Sequence, residues 1–329
     1  MDNFIKYLKI NNFKSIFNLE LENCRRINLF IGYPNVGKSN ALEALSLFSI
    51  PFLNEGDLLN KLLRIENKNE LFYFSSQKFG VIEIDQRSLN FSNEDRLIMI
   101  IESDRDFHGF AFSDDLKSKL DNSVFKPSLK TIKRYSFLAN NQWKSNGNAQ
   151  LLPPFGENII DTLSYNENVS DVKAWMKQEL AKFGLEYVLD KASNSLKIQK
   201  RLCSDEVMQL PYSSIADTLQ RVIFYKTAIA SNKNSILLFE EPEAHAFPPY
   251  IQTIMRDIID GESNQFFIVT HSPLVVNAFL EYEKTRKETS IYLFDFKDNQ
   301  TTAKLLSDEE MEIAYEYGDD LFFNLENLL

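Results

Sequence analysis

GYPNVGKSN, residues 32–40, decides how the rest of this sequence is read. It fits G-x-x-x-x-G-K-[ST], a loop whose backbone N–H groups cradle phosphates while its lysine reaches the β and γ oxygens and its hydroxyl meets Mg²⁺. Gly32, Asn35, Val36, Gly37, Lys38, Ser39 and Asn40 are therefore the expected nucleotide-binding residues, with Ser39 also on the metal. The flanks agree. CRRINLFI before the loop reads as a strand, as does FIKYLKI nearer the start, with NNFKSIFNLELEN as their connection. NALEALSLFSI after it reads as a helix, with Leu42, Leu45 and Phe48 on one face, until Pro51 stops it. A GTPase, an ATPase motor and an ATP-gated clamp all use such a loop, so the remaining chain must choose.

Bulk composition narrows the choice. The 329 residues carry a net charge of −11, which disfavours a protein that coats nucleic acid over its whole surface. MDNFIKYLKI lacks the apolar core of a signal peptide and no run is long enough to cross a bilayer, so a cytoplasmic protein without membrane contact is expected. Cys24 and Cys203 have no Cys or His partners at metal spacing.

Farther along, LFYF, FGVIEI, RLIMIIES and FHGFAF within residues 71–113 alternate as an antiparallel sheet. Residues 122–156 contain no acid but carry Lys126, Lys130, Lys133, Arg134 and Lys144 among aromatics. That segment is the candidate DNA contact; a strand and loop with charged ends in water is the competing reading. Residues 157–190 read as mostly helical and SLKIQKR as a strand. Then α/β alternation resumes: YSSIADTLQRVIFYKTAIASN as a capped helix, NSILLFEEPEAH as a buried strand, YIQTIMRDIIDG as a helix closed by Gly261, and NQFFIVTHSP as a second buried strand. VVNAFLEYEK follows as a helix, SIYLFDFKD as an edge strand, and the acidic tail from Ser307 as a docked helix. The expected fold is α/β, a P-loop NTPase with a mixed, mostly parallel central sheet, an antiparallel β subdomain and a helical insertion. Within a single domain over 1–329, the nucleotide-binding core spans 1–53 and 205–295, the inserted lobe 54–204, and the last strand and helix 296–329.

A guanine switch needs D-x-x-G and then N-K-x-D after the loop. DFHG at Asp106 and NKNE at Asn67 occur in the reverse order, and the second ends in Glu. The strand Ile236–Phe239 instead delivers adjacent carboxylates, Glu240 and Glu241, at its C-terminal end, where open parallel sheets place ligands. Consecutive strand residues point to opposite sides, so the two acids must do different jobs, one holding Mg²⁺ and one orienting water. One strand later, His271 stands where an imidazole could reach a γ-phosphate; a purely structural histidine is the competing reading.

Together I-x-N-F-K-S, G-x-x-N-x-G-K-S-N with LEAL, LLFEEPEAH-x-x-P and V-T-H-S-P resemble the ABC-type ATPase heads of the RecF, SMC and OLD-like class. The resemblance covers roughly residues 1–50 and 205–295. It implies ATP and Mg²⁺ as cofactors, with Lys38 and Ser39 on phosphate and metal, Glu240 as the metal-associated acid, Glu241 as general base and His271 as the γ-phosphate histidine. It also implies a homodimer sandwiching ATP between heads. The family's signature segment is a Ser followed by glycines at a helix N-terminus. Here PYSSIADTLQR supplies Ser213 and Ser214 with no Gly-Gly, which puts dimer-dependent hydrolysis in question, and neither Gln77 nor Gln142 is assignable as the family's glutamine lever. With no coiled-coil arms and only about thirty residues after SIYLFDF, too few for another domain, the chain resembles the ATPase subunits of prokaryotic antiviral systems, which control a separate nuclease or toxin effector. A RecF-like DNA-maintenance ATPase and an ATP-dependent structural module with little turnover are the alternatives.

Overall fold

The structure, a computed structural model, describes residues 4–103, 106–119, 131–139, 143–316 and 321–322. The described chain opens with a hairpin, β1 (Leu8–Phe13) and β2 (Ile16–Leu21), turning at Lys14 with φ +50°. The segment expected to connect two strands is thus mostly strand itself, with Ile16, Leu19 and Leu21 buried in the core. β3 (Ile27–Gly32) runs into the phosphate loop, and α1 (Lys38–Ser46) follows it. The helix tightens into a 3₁₀ turn over Leu47–Phe52 that takes Pro51 inside it. LFYF, expected as a strand, folds as 3₁₀ turns (Lys68–Leu71 and Tyr73–Ser75) that bury Leu71 and Phe72.

β4 (Phe79–Ile84), β5 (Arg87–Asn93), β6 (Leu97–Ser103) and β7 (Asp106–Phe112) then complete a six-stranded sheet in the order β2-β1-β4-β5-β6-β7. Every pairing in it is antiparallel. After β8 (Ile132–Tyr135) come α2 (Ile159–Tyr165), α3 (Ser170–Ala181), β9 (Glu186–Asp190), β10 (Ser195–Arg201), β11 (Val207–Pro211) and α4 (Asp217–Ser231). The chain returns through β12 (Ile236–Glu240), α5 (Pro248–Asp260), β13 (Gln265–Val269), α6 (Pro273–Leu280), α7 (Glu283–Lys287), β14 (Thr289–Lys297), β15 (Gln300–Leu305) and α8 (Asp308–Glu316).

Two compact units result: residues 1–134, 234–241 and 262–329 in one, and 135–233 with 242–261 in the other. The second sheet of the first unit has the order β15-β14-β3-β13-β12-β8. Its four central strands run parallel, with β15 antiparallel at the edge. β14, expected as an edge strand, is interior: its first six residues are buried. β3, β12 and β13 read as continuous apolar runs because both of their faces are covered. Phe30 at the centre meets Phe267, Tyr292 and Phe294 at ring-centroid distances of 5.9, 5.8 and 4.9 Å.

In the second unit α4 packs against α2, α3 and α5. The buried Lys226 is paired with Asp257 at 2.7 Å and lies 5.6 Å from the Trp175 ring centre. β9, β10 and β11 form a separate antiparallel sheet.

Candidate nucleotide-binding site

The phosphate loop is shaped by backbone that only certain residues tolerate. Gly32 has φ +148° and Gly37 φ +99°, and a Cβ on Gly37 would lie 2.0 Å from Thr301 Oγ1. Asn35, at φ +64°, takes the left-handed conformation that Asn accepts more readily than most residues. Lys38 turns back over the loop and donates to the carbonyls of Gly32 at 2.9 Å and Tyr33 at 2.6 Å. Burial lowers its pKa to about 8, with the Glu241 carboxylate opposing part of that shift. A buried ammonium held by two carbonyls, at the mouth of a loop that opens a helix, is a site that an anion would complete.

Two distant segments brace the loop. Asn40 Nδ2 donates to Ser15 Oγ at 2.7 Å, Ser15 Oγ shares a hydrogen bond with Thr301 Oγ1 at 2.7 Å, and Thr301 N donates to Ser15 O at 3.0 Å. This gives the Lys-Ser of the N-F-K-S motif a structural job. Ser15 steadies the loop, while Lys14 donates to Glu43 of α1 and to the carbonyl of Arg64.

The twin acids diverge, Glu240 closing β12 and Glu241 lying just past it. Glu241, just past β12, has φ +43°, a strained conformation for a non-glycine residue and one that concentrates at functional sites. Its amide donates to Val269 O at 2.9 Å, and its Oε1 lies 3.5 Å from His271 Nε2. Thr270 Oγ1 accepts from Ser272 N at 3.0 Å and so fixes the turn that presents the half-exposed His271. His271 is pushed below the ordinary histidine range by burial and by the nearby Lys38 charge, against the pull of Glu241. Lys38, Glu241 and His271, drawn from three separate strand ends, therefore share one electrostatic neighbourhood.

Glu240 faces elsewhere. Its Oε2 accepts from Arg134 at 2.7 Å and its Oε1 lies 3.1 Å from Arg64. Arg64 also donates to Glu43 at 2.8 Å, and Arg134 donates to the Leu62 carbonyl. Glu43 is fully buried: burial pushes its carboxyl up, but Lys14 and Arg134 outweigh that and leave it below the ordinary range. Burial pulls on the Arg64 guanidinium too, yet Glu240 and Glu43 hold it above its usual value. The expected metal acid is thus tied into a network of five charges, none but Glu240 identified from sequence as part of the site.

Arg134 and Lys133 require a correction. Both belong to the segment offered as a possible DNA contact beside the strand-and-loop reading, but both are buried in β8, Arg134 bound to Glu240 and Lys133 lying 5.8 Å from the Phe52 ring centre. Lys144 is exposed beside Glu157 at 3.3 Å; Lys126, Lys130 and Gln142 fall outside the described residues. Ser213 and Ser214 do not cap α4. They form a short 3₁₀ turn in the second unit, the cap position belongs to Ala216 without a side-chain hydrogen bond, and Ser213 lines an apolar cavity with Trp143, Tyr212 and Phe224.

A strained phosphate loop, a strand-end acid and a strand-end histidine on a mostly parallel sheet define the ABC-type class of P-loop ATPase heads. The chain belongs to the family described as "AAA domain, putative AbiEii toxin, Type IV TA system", which matches residues 27–277, more than half of its length. A crystal structure of an Smc head bound to the C-winged helix domain of ScpA superposes with a TM-score of 0.53 at 14% identity, covering 92% of this chain and 98% of that one. An Smc head with an extended coiled coil, bound to the C-terminal domain of ScpA and derived from Pyrococcus furiosus, gives 0.54 at 13% identity, covering 96% and 100%. Protein ea59 of Escherichia phage lambda is 31% identical over 90 residues, 24% of this chain; the match spans 17% of that relative's length. Among the described residues no helix is long and apolar enough to cross a membrane.

Proposed function

We propose that this chain binds and hydrolyses ATP and acts as a nucleotide-gated clamp that controls a separate effector protein. The meeting of Lys38, Glu241 and His271 at the loop mouth carries the proposal. Lys38 would hold the β and γ oxygens. Glu241, set on a strained backbone beside the imidazole, would align and deprotonate the attacking water. His271, neutral at pH 7 given its lowered pKa, would donate a hydrogen bond to the departing phosphate. Bound Mg²⁺ would neutralise phosphate charge, held by the Ser39 hydroxyl with Glu240 nearby.

Closure of two such heads around ATP is the motion that would transmit the chemistry, with Ser213 and Ser214 offered to the partner's nucleotide. The family's toxin–antitoxin description supports a place in antiviral defence, with a nuclease or toxin as the effector. Lys38→Ala is expected to abolish binding of a fluorescent ATP analogue, and Glu241→Gln to keep binding while losing turnover and to elute as a dimer with saturating ATP. Unchanged phosphate release by Glu241→Gln would end the general-base assignment, and a monomeric elution would end the sandwich.

A further inference from the structure

The guanidinium pair on Glu240 has a consequence for the metal. Ser39 and Glu43 lie four residues apart on α1, hence on one face with Cβ atoms about 6 Å apart. Arg64 spans from Glu43 to Glu240, with contacts of 2.8 and 3.1 Å, so its head group joins the α1 face that carries Ser39 to the strand-end acid. The two arginines on Glu240 are unequal. The Arg134 side chain is 6% exposed and anchored to the Leu62 carbonyl, whereas the Arg64 side chain is 62% exposed and can swing into water at little cost.

We propose that Arg64 is a positioning residue that competes with the nucleotide's magnesium for Glu240, so that the Arg64–Glu240 contact opposes metal loading while Arg134 keeps the carboxylate in place. This rests on the ATP reading above. A guanidinium bonded to a carboxylate oxygen occupies one of its lone-pair directions and repels a divalent ion approaching the same group. The contact therefore raises the metal concentration needed to engage the strand-end acid. Removing Arg64 leaves Glu43 with Lys14 and Arg134 as partners and Glu240 with Arg134, so the variant keeps its buried charges compensated.

The test uses Mn²⁺ as a stand-in for Mg²⁺, titrated by electron paramagnetic resonance into the protein saturated with a non-hydrolysable ATP analogue. Arg64→Ala should bind Mn²⁺ about three- to fivefold more tightly than wild type, the range for a largely exposed ion pair. Arg64→Lys, which cannot bridge two carboxylates, should fall between. In a Glu240→Gln background the Arg64→Ala effect should vanish, whereas a merely structural Arg64 would act alike in both backgrounds. An unmoved or weakened Mn²⁺ midpoint in Arg64→Ala, with the analogue still bound, overturns the competition alone. Failure of wild type to bind the analogue overturns the ATP reading and the competition with it.

Discussion

The pH dependence of nucleotide binding should report on Lys38. Free, its ammonium has a pKa of about 8, set first by burial and partly offset by Glu241. A bound triphosphate places several negative charges against it and should raise that value past the ordinary 10.4 or so. The complex then holds more protons than the free protein between about pH 8 and pH 10, so the favourable interaction is fully present below pH 8 and is lost as pH rises through it. At pH 8 binding should take up about half a proton, and affinity should fall about tenfold between pH 7 and pH 9. The γ-phosphate is already ionised over this interval and so does not contribute. Isothermal titration calorimetry in buffers of different ionisation enthalpy measures the uptake directly. Lys38→Arg, charged throughout, should bind more weakly but with no slope. A wild-type affinity flat from pH 7 to 9, with no proton uptake at pH 8, would refute the assignment of Lys38 as the buried phosphate-binding cation.

Two other buried charges should respond differently. Glu43→Ala leaves Lys14 and Arg134 without their shared counter-charge, and should cost about 3 kcal/mol or more in urea unfolding. Lys133, whose pKa burial depresses to about 8, should make stability depend on pH in a way that Lys133→Met abolishes. Since the unfolded chain binds more protons between pH 8 and 10, wild type should gain stability relative to Lys133→Met as pH rises through that window, and equal DNA affinity of the two proteins would accord with its burial.

The parts of the site that were legible in the sequence were those whose chemistry is written in a short run. Gly32–Asn40 needs its glycines for backbone reasons, and the order of the two apolar strands placed Glu240, Glu241 and His271 at strand ends. What escaped was fixed by contacts between remote residues. Arg134 read as basic surface, and nothing local says that Glu240, 106 positions later, will claim it. Arg64 carries no motif at all. LFYF had the apolar content of a strand, but it makes only an isolated bridge, Phe72 with Phe13, and its other backbone bonds close turns, such as Ser75 N donating to Phe72 O at 2.8 Å. The edge assignment of β14 failed because the short β15, QTTAKL, lacks the apolar residues that mark a strand.

The place of β3 between β13 and β14 bears on how the protein is made. The antiparallel sheet draws all its strands from the first 112 residues and can close while synthesis continues, but β3 gains its neighbours only when residues 265–297 emerge. Thr301, which props the phosphate loop, arrives later still. A nascent chain therefore lacks the braced phosphate loop until Thr301 has been made, and its central strand must wait, apolar on both faces, for a partner to be translated.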